Sequence, residues 1–459
     1  MEENGRDKEV PKELAALLSE ERLILRETKR AVTPFGGVAV FIAYLNKIQM
    51  ADKIREHMPV RWRSHNQIDP TETFTAFMIS VLLGAKRFAH SNWLRGDRAL
   101  HALLGLKRFP TDDTIRNLFK KFTMGNVERL FPPLLEWQME RVPVRPEGYS
   151  LDLDSTVLER YGQQEGSLKG YNPRRHARPS HHPLIAVLSE AHFILHGWLR
   201  SGNCGSSRGV VAFLEEALAL WGQRQKIRLV RADSGFFDDA LLSFLEQRSL
   251  AYIIVARMTR WVKREAERIV QWQELDANYA VGEFQLKLHG WAKVRRFIVI
   301  RERLRESRAS VGRKLIHVPG YTFRIFATNR DDAPELVWRD YNRRADMENR
   351  IAELKHDLGI DHFCLKQFHA TEAAFRTILL LFNLLAEFQR AAGLPSYREP
   401  ATIRTQILTC GAILGRSARR IVLHLGESWG GLKTRNPLLA SILDWQIPTS
   451  PKFSPLLRC

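Results

Sequence analysis

The hydrophobic period of this chain changes once, and the change divides it. Up to about residue 142 apolar residues recur at three- and four-residue spacing, in "VAVFIAYLNKIQMADKI", "TETFTAFMISVLLGAKRF" and "LRGDRALHALLGL". That is the pattern of helices with one buried face. After the linker-like "VPVRPEG" (142–148) the pattern alternates instead. "YSLDLDSTV" puts Leu151 and Leu153 on one face of a strand and Asp152 and Asp154 on the other. "PLIAVLSE" and "FILHGWL" read as strands and "GVVAFLEEALALWG" as a helix. "KIRLVRADSGF" is then a buried strand ending at Asp233, "DDALLSFLEQRSL" a helix and "AYIIVA" another strand.

Three strands, then helix, strand, helix, strand is the order of the RNase H-like α/β fold. The expected architecture is an α/β, RNase H-like core in two parts, 146–258 and 321–395, split by a basic β-rich insertion over 259–320. A helical domain over 36–145 precedes it, after a charged, partly disordered lead-in (1–35). A basic tail (396–459) follows, in which "IRTQILTCGAILGRSARRIVLHLG" reads as a hairpin. Within the helical domain, "FPTDDTIRNLFKKF" has Thr111 as N-cap, Asp112 and Asp113 in the first turn, and Ile115, Leu118 and Phe122 facing in. Arg116, Lys120 and Lys121 face out. A short helix, a turn and such a capped helix are compatible with a helix-turn-helix reader of DNA in which Arg116 and Lys120 make contacts. They are equally compatible with an ordinary helical bundle.

Charge points the same way. Lys and Arg number 70 against 51 Asp and Glu, a net +19. The excess is concentrated: 251–330 holds 17 basic and 7 acidic residues, and 401–459 holds 8 and 2. Concentrated positive charge suits a polyanion, nucleic acid ahead of a membrane surface. The longest apolar runs, such as "AFMISVLLGA" and "ILLLFNLLAEF", fall short of the about 18 to 20 residues that span a bilayer. The opening "MEENGRDKEVPKELA" lacks an apolar signal core, and Cys204, Cys364, Cys410 and Cys459 lack zinc spacing. A cytoplasmic location is expected. "YNPRRHARPSHHPL" (171–184) reads as a basic loop that touches phosphate, through Arg174 and Arg175, rather than as a zinc site. "GNCGSSRG" (202–209) lacks the Walker Gly-Lys-Ser/Thr ending, so no nucleotide is expected.

"YNRRADMENRIAELK" (341–355) reads as one helix. At about 100° per residue, Tyr341, Arg344, Glu348 and Lys355 share a stripe about 60° wide. Beside it lies an apolar seam of Met347, Ile351, Leu354 and Leu358. Asn342, Asp346, Asn349, Arg350, Glu353, His356 and Asp357 make a solvated back. Alone, Arg344 and Glu348 read as an i,i+4 ion pair. Taken with Asp154 and Asp233, however, Glu348 is the third of three carboxylates on separate elements. About three are what a two-metal phosphodiester site requires. Asp152 is a rival on the same strand face; Asp154 is preferred for the Ser-Thr that follows it.

The Asp-Ser-Thr of "DLDST", the strand-end "VRADSGF" and the Tyr-x2-Arg-x3-Glu-x6-Lys spacing resemble the DDE transposases of bacterial insertion sequences. In particular they resemble the insertion-sequence-four superfamily, defined by that Y-R-E-K signature and a β-rich insertion before the catalytic glutamate. The resemblance covers about residues 145–425 and the helical region before them. It implies that Asp154, Asp233 and Glu348 are catalytic and bind two Mg²⁺ ions, with Mn²⁺ as a substitute. It implies that Tyr341, Arg344 and Lys355 contact DNA phosphates at the cleaved end. The implied reaction nicks a transposon end with water, passes through a hairpin end and joins the 3′-hydroxyl to target DNA. The implied partners are transposon-end and target DNA, bound by a homodimer in the bacterial nucleoid, with no membrane and no nucleotide. Some relatives hold a flipped base against a tryptophan of the insertion, for which Trp261, Trp272, Trp291 and Trp338 are candidates. The rival readings are a metal-dependent nuclease that never joins and a DNA-binding protein with an inert site.

Overall fold

The structure, a computed structural model, describes residues 13–62, 64, 66–172, 175–303 and 320–448. The chain first builds a helical layer: α1 (Val38–Lys47), α2 (Met50–His57), α3 (Pro70–Leu82), α4 (Arg98–Leu104), α5 (Asp112–Phe119) and α6 (Met124–Met139). Local chemistry sets their ends. Asp69 caps α3 by accepting from the Thr71 and Glu72 amides, with Pro70 in the first turn. Gly105, at φ 69°, ends α4 in the left-handed region that glycine enters most cheaply. Thr111 caps α5 by accepting from Thr114 N at 3.0 Å, as its sequence suggests.

A nine-stranded sheet follows. Its strands are β1 (Tyr149–Ser155), β2 (Leu184–Leu188), β3 (Phe193–Trp198), β4 (Ile227–Ala232), β5 (Tyr252–Val255), β6 (Gln273–Glu274), β7 (Tyr279–Leu286), β8 (Arg295–Arg303) and β9 (Tyr321–Thr328). Their spatial order is β6-β7-β8-β9-β5-β4-β1-β2-β3. Strands β1, β4 and β5 run parallel, because helices α7 (Val210–Trp221) and α8 (Asp239–Gln247) return the chain across the sheet between β3, β4 and β5. All other neighbours are antiparallel. The five strands legible in the sequence before residue 258 thus lie in the order 3-2-1-4-5.

The insertion does not form a separate lobe. After α9 (Arg260–Glu267), strands β6 to β8 pair in register with one another and onto β9, extending the same sheet. Two layers then close the molecule. Leu151, Leu153, Val230, Tyr252 and Ile254 pack on one sheet face with Phe213 and Leu214 of α7 and Leu241 and Leu245 of α8. Ile185, Val187 and Ile194 share a second core with Phe41, Phe77, Phe119 and Leu130 of the helical layer. The centre of that core is α12 (Phe368–Ala391), which follows α10 (Pro334–Asn342) and α11 (Ala345–Ala352) and is buried along nearly its whole length. A helix apolar all round is suited to that place. The boundary expected near residue 145 is therefore a change of layer within a shared core. Two segments far apart in sequence also meet: Ala31–Thr33, in the expected lead-in, pairs with Ala412–Ser417, which forms the expected hairpin with Arg420–Leu425.

Candidate active site

Strands β1 and β4 are parallel neighbours, and their register pairs Leu153 with Ala232. The next residues, Asp154 and Asp233, therefore stand side by side at the carboxyl ends of adjacent strands, where open α/β sheets bind ligands. Asp154 accepts from the amide of Ser155 at 2.8 Å. Asp233 caps the single turn Ser234–Phe236 by accepting from Gly235 N at 2.9 Å. A Cβ on Gly235 would lie 2.8 Å from Ser206 Oγ and 3.0 Å from Asp233 Oδ1, so that turn has no room for a side chain. Ser206, from the "GNCGSSRG" loop, shares a 2.7 Å hydrogen bond with Ser155 and backs the two aspartates.

Asp152 and Asp154 differ in their partners. Asp152 is 1% exposed, and both its oxygens accept from Arg231, at 2.6 and 2.8 Å. Arg231 also donates to Asp340 O, tying β4 to α10. This pair neutralises Asp152 within the core. Among the described residues the one cation paired with Asp154 is Arg344, at 3.5 Å. Burial first, then the Asp233 and Glu348 carboxylates, push the Asp154 carboxyl up to about 6 against the pull of Arg344. That both carboxylates act on Asp154 puts all three in one electrostatic field. An oxygen-only donor set of this kind suits a hard divalent cation. Among the described residues no three His, Cys, Asp or Glu groups converge closely enough to close around an ion as they stand.

The stretch from Tyr341 differs from the single helix expected. The helix breaks at Arg343–Arg344, resumes as α11, and widens into a π-turn over Glu353–Asp357. The break turns Arg344 inward, where it donates to Leu153 O at 2.9 Å and lies beside Asp154. It makes no ion pair with Glu348 among the described residues; the local i,i+4 pair is replaced by a long-range one. Tyr341 packs its ring against Phe326 at 4.6 Å. Burial raises its hydroxyl's pKa, and Asp233 and Asp154 add to the rise while Arg344 and Arg324 oppose it. Lys355 donates to Val157 O at 3.0 Å, just past β1. Arg344 and Lys355 therefore both reach the end of β1, while Glu348 stays exposed. The apolar seam is buried or partly so. The solvated back is only partly solvated: Arg350 and Glu353 are 5% and 3% exposed, because Tyr397 from the loop after α12 lies over them.

The other candidate DNA contacts separate. Arg116 is held by Asp112 at 3.2 Å. Lys120 lines a cleft of about 1330 Å³ in the helical layer, together with Arg61, Arg95, Arg98, Lys107, Arg108 and Lys121. None of these seven cations has a carboxylate partner among the described residues. Arg175 pairs with Glu159 at 3.5 Å and donates to the Tyr161 hydroxyl at 2.8 Å. Arg174 lies outside the described residues. In the same loop His181 is buried, accepts from Arg160 Nε at 3.0 Å and has its pKa lowered to about 4 by burial and that arginine. Of the four tryptophans, Trp338 lines a second cleft, of about 490 Å³, with Ser234 and Asn342, next in sequence to Asp233 and Tyr341. Trp272 and Trp291 pack under Arg301 and Arg295, and Trp261 is half exposed under Arg264.

Sequence reasoning passed over Arg231 and Ser206. Arg231 had a signal: it lies two residues before Asp233, on a strand beside the one whose polar face carries Asp152. Ser206 had none.

The family described as "Transposase DDE domain group 1" matches residues 16–444. No curated protein matches the sequence. One solved structure, described as "Cryo-EM structure of piggyBac transposase synaptic complex with hairpin DNA", aligns over 83% of this chain and 83% of its own. Its TM-score is 0.45 and its identity 10%.

Proposed function

The chain belongs to the group 1 DDE transposase family, and from that premise we propose that it cuts DNA at transposon ends and joins the freed 3′ ends to target DNA. Asp154, Asp233 and Glu348 are the catalytic carboxylates of this reading, set in an RNase H-like core. The observation that carries it is the pairing of Asp154 and Asp233 at the ends of parallel neighbours. The strand order 3-2-1-4-5 supports the core, and the Tyr-Arg-Glu-Lys spacing supports the insertion-sequence-four branch.

The family's chemistry depends on divalent metal. The three carboxylates would hold two such ions, Mg²⁺ by their oxygen-only chemistry, which when bound supply positive charge at the attacking and leaving oxygens of an in-line displacement. The chain's own residues do the remaining work. Arg344 and Lys355 give charged donors around the end of β1, the side from which a scissile phosphate reaches Asp154, and Tyr341 a hydroxyl donor. The cationic cleft of the helical layer, including Lys120, grips backbone phosphates further along the duplex. Trp338 is the tryptophan suited to a flipped base, since it lines the cleft beside Ser234. A hairpin end, a homodimer that brings two sites to two ends, and work at the bacterial nucleoid complete the reading. No helix among the described residues is long and apolar enough to cross a membrane.

The test is a labelled duplex carrying the element's end, incubated with Mg²⁺ and either the wild type or Asp233→Asn. Cleavage and joining by the wild type alone, with DNA binding retained in both, is the expected result. Cleavage that never leads to joining would replace this reading with a nuclease. Binding without cleavage in either protein would leave a DNA-binding protein with an inert site.

A further inference from the structure

Helix α11 carries Glu348 on only two turns, bounded by a break before it and a π-turn after it. A helix so short does not hold its own direction. A π-turn adds one residue to a turn, which swings everything beyond it by about 100°. The direction of Lys355 relative to Glu348 therefore depends on what keeps that turn in place.

Three segments meet there on one ring. Tyr397, in the loop after α12, donates its hydroxyl to Glu353 Oε2 at 2.7 Å, at the start of the π-turn. Its ring carries the Arg350 guanidinium at 4.4 Å and stacks on His192 at 4.1 Å and 9°. Arg350 is almost fully buried, and its Nε and Nη1 have no hydrogen-bond partner among the described residues. Its charge is met by the Tyr397 face and by ion pairs with Glu353 at 2.7 Å and Asp346 at 3.4 Å. His192, at the turn between β2 and β3, reaches Asp346 at 3.3 Å. The helical segment that follows this loop, Pro400–Ile403 continued by Arg404–Leu408, holds the far end of the π-turn: Ala401 N donates to Asp357 Oδ2 at 3.0 Å and Arg404 to Asp357 O at 2.9 Å.

We propose that Tyr397 is a positioning residue: with Arg350 on its ring and Glu353 on its hydroxyl, it fixes the π-turn and so the spacing at which one helix presents Glu348 and Lys355. This rests on the transposase reading of those two residues. Tyr397 touches no reacting group; it acts through Arg350 and Glu353. The Glu353 carboxyl faces Arg350 and Asp357 from its own segment and Tyr397 and Glu399 from the loop. It is pushed up to about 7, by burial first, with Arg350 and the Tyr397 hydroxyl opposing the rise. The clamp is thus complete above that pH and loosens below it, as Glu353 takes a proton and its pair with Arg350 is lost.

The test compares full-length wild type and Tyr397→Phe, which keeps the ring and removes the hydroxyl. Two readouts are taken: amide hydrogen exchange, and the single-turnover cleavage rate against pH at saturating DNA. In the variant, peptides covering 353–358 exchange about tenfold faster while α12 is unchanged. Its cleavage falls about tenfold or more with DNA affinity and Tm unchanged. Its acid limb moves to higher pH, because the ionised Glu353 has lost a donor. Unchanged exchange overturns the clamp whether or not the protein cuts DNA. Faster exchange with wild-type rate and pH profile makes Tyr397 merely structural and overturns the positioning role. A wild type that never cuts overturns the reading of Glu348 and, with it, that role.

Discussion

The insertion and the helical cleft are both rich in arginine and lysine, and they use them in opposite ways. In the insertion, Arg295 is nearly buried between Asp239 and Glu246, Arg296 is paired with Glu283 and Arg301 with Glu274, while Lys293 reaches Glu246. Those charges hold the extended sheet together and bind β8 to α8. In the cleft between α4, α5 and the loops beside them, seven cations line one space with no carboxylate partner among the described residues. The segment with the largest formal excess is thus mostly neutralised where it is described. The seven cations left without a carboxylate among the described residues stand instead in the helical layer, where 17 basic and 10 acidic residues over 36–145 make a smaller excess. Net charge along a chain counts residues; a polyanion responds to cations left unpaired in space.

Three variants can break that comparison. The largest effect is expected in the cleft. Arg98→Glu with Lys107→Glu should lower affinity for a duplex about 100-fold at 0.1 M salt. The slope of log K against log salt should fall by about 2, two phosphate contacts being lost. Unchanged salt dependence would mean the cleft faces something other than DNA. Next comes Arg295→Ala in the insertion, which takes the buried cation from between Asp239 and Glu246 and leaves Glu246 the exposed Lys293 as its only cation among the described residues. It should cost about 3 kcal/mol of stability in denaturant unfolding, with DNA affinity altered less than about twofold once the protein is folded. A large affinity loss would show that the insertion's paired arginines still reach DNA. The smallest effect is expected at Arg116→Ala. Its charge is already met by Asp112, so affinity should change less than about threefold. A loss matching that of the cleft pair would restore the helix-turn-helix contact that the sequence suggested.

The sheet was legible because its strands obey a simple period. "YSLDLDSTV" and "KIRLVRADSGF" each end on an aspartate, and parallel pairing brings those ends together. The capped α5 was equally plain, its Thr-Asp-Asp start being local chemistry. What could not be read depends on partners distant in sequence. The break at Arg343–Arg344 answers to Leu153 O and Asp154, nearly two hundred residues earlier. Helical-wheel arithmetic cannot anticipate it. Arg350 and Glu353 fall on the polar side of any wheel, yet Tyr397 covers them. The π-turn likewise depends on Ala401 and Arg404. The cleft assembles Arg61, Arg95 and Lys120 from segments that look unremarkable one at a time.

The central claim is that Asp154 serves chemistry while Asp152, two residues away, serves the fold. Single-turnover cleavage of the transposon-end duplex, set beside thermal unfolding, tests it in one pair of variants. Asp154→Asn should lose cleavage by about 10³-fold or more with its Tm unchanged or raised, because a buried charge is gone. Asp152→Asn should lower Tm by leaving Arg231 buried without its anion, and whatever remains folded should still cut. The reverse pattern, an active Asp154→Asn and a stable, inactive Asp152→Asn, would contradict the account.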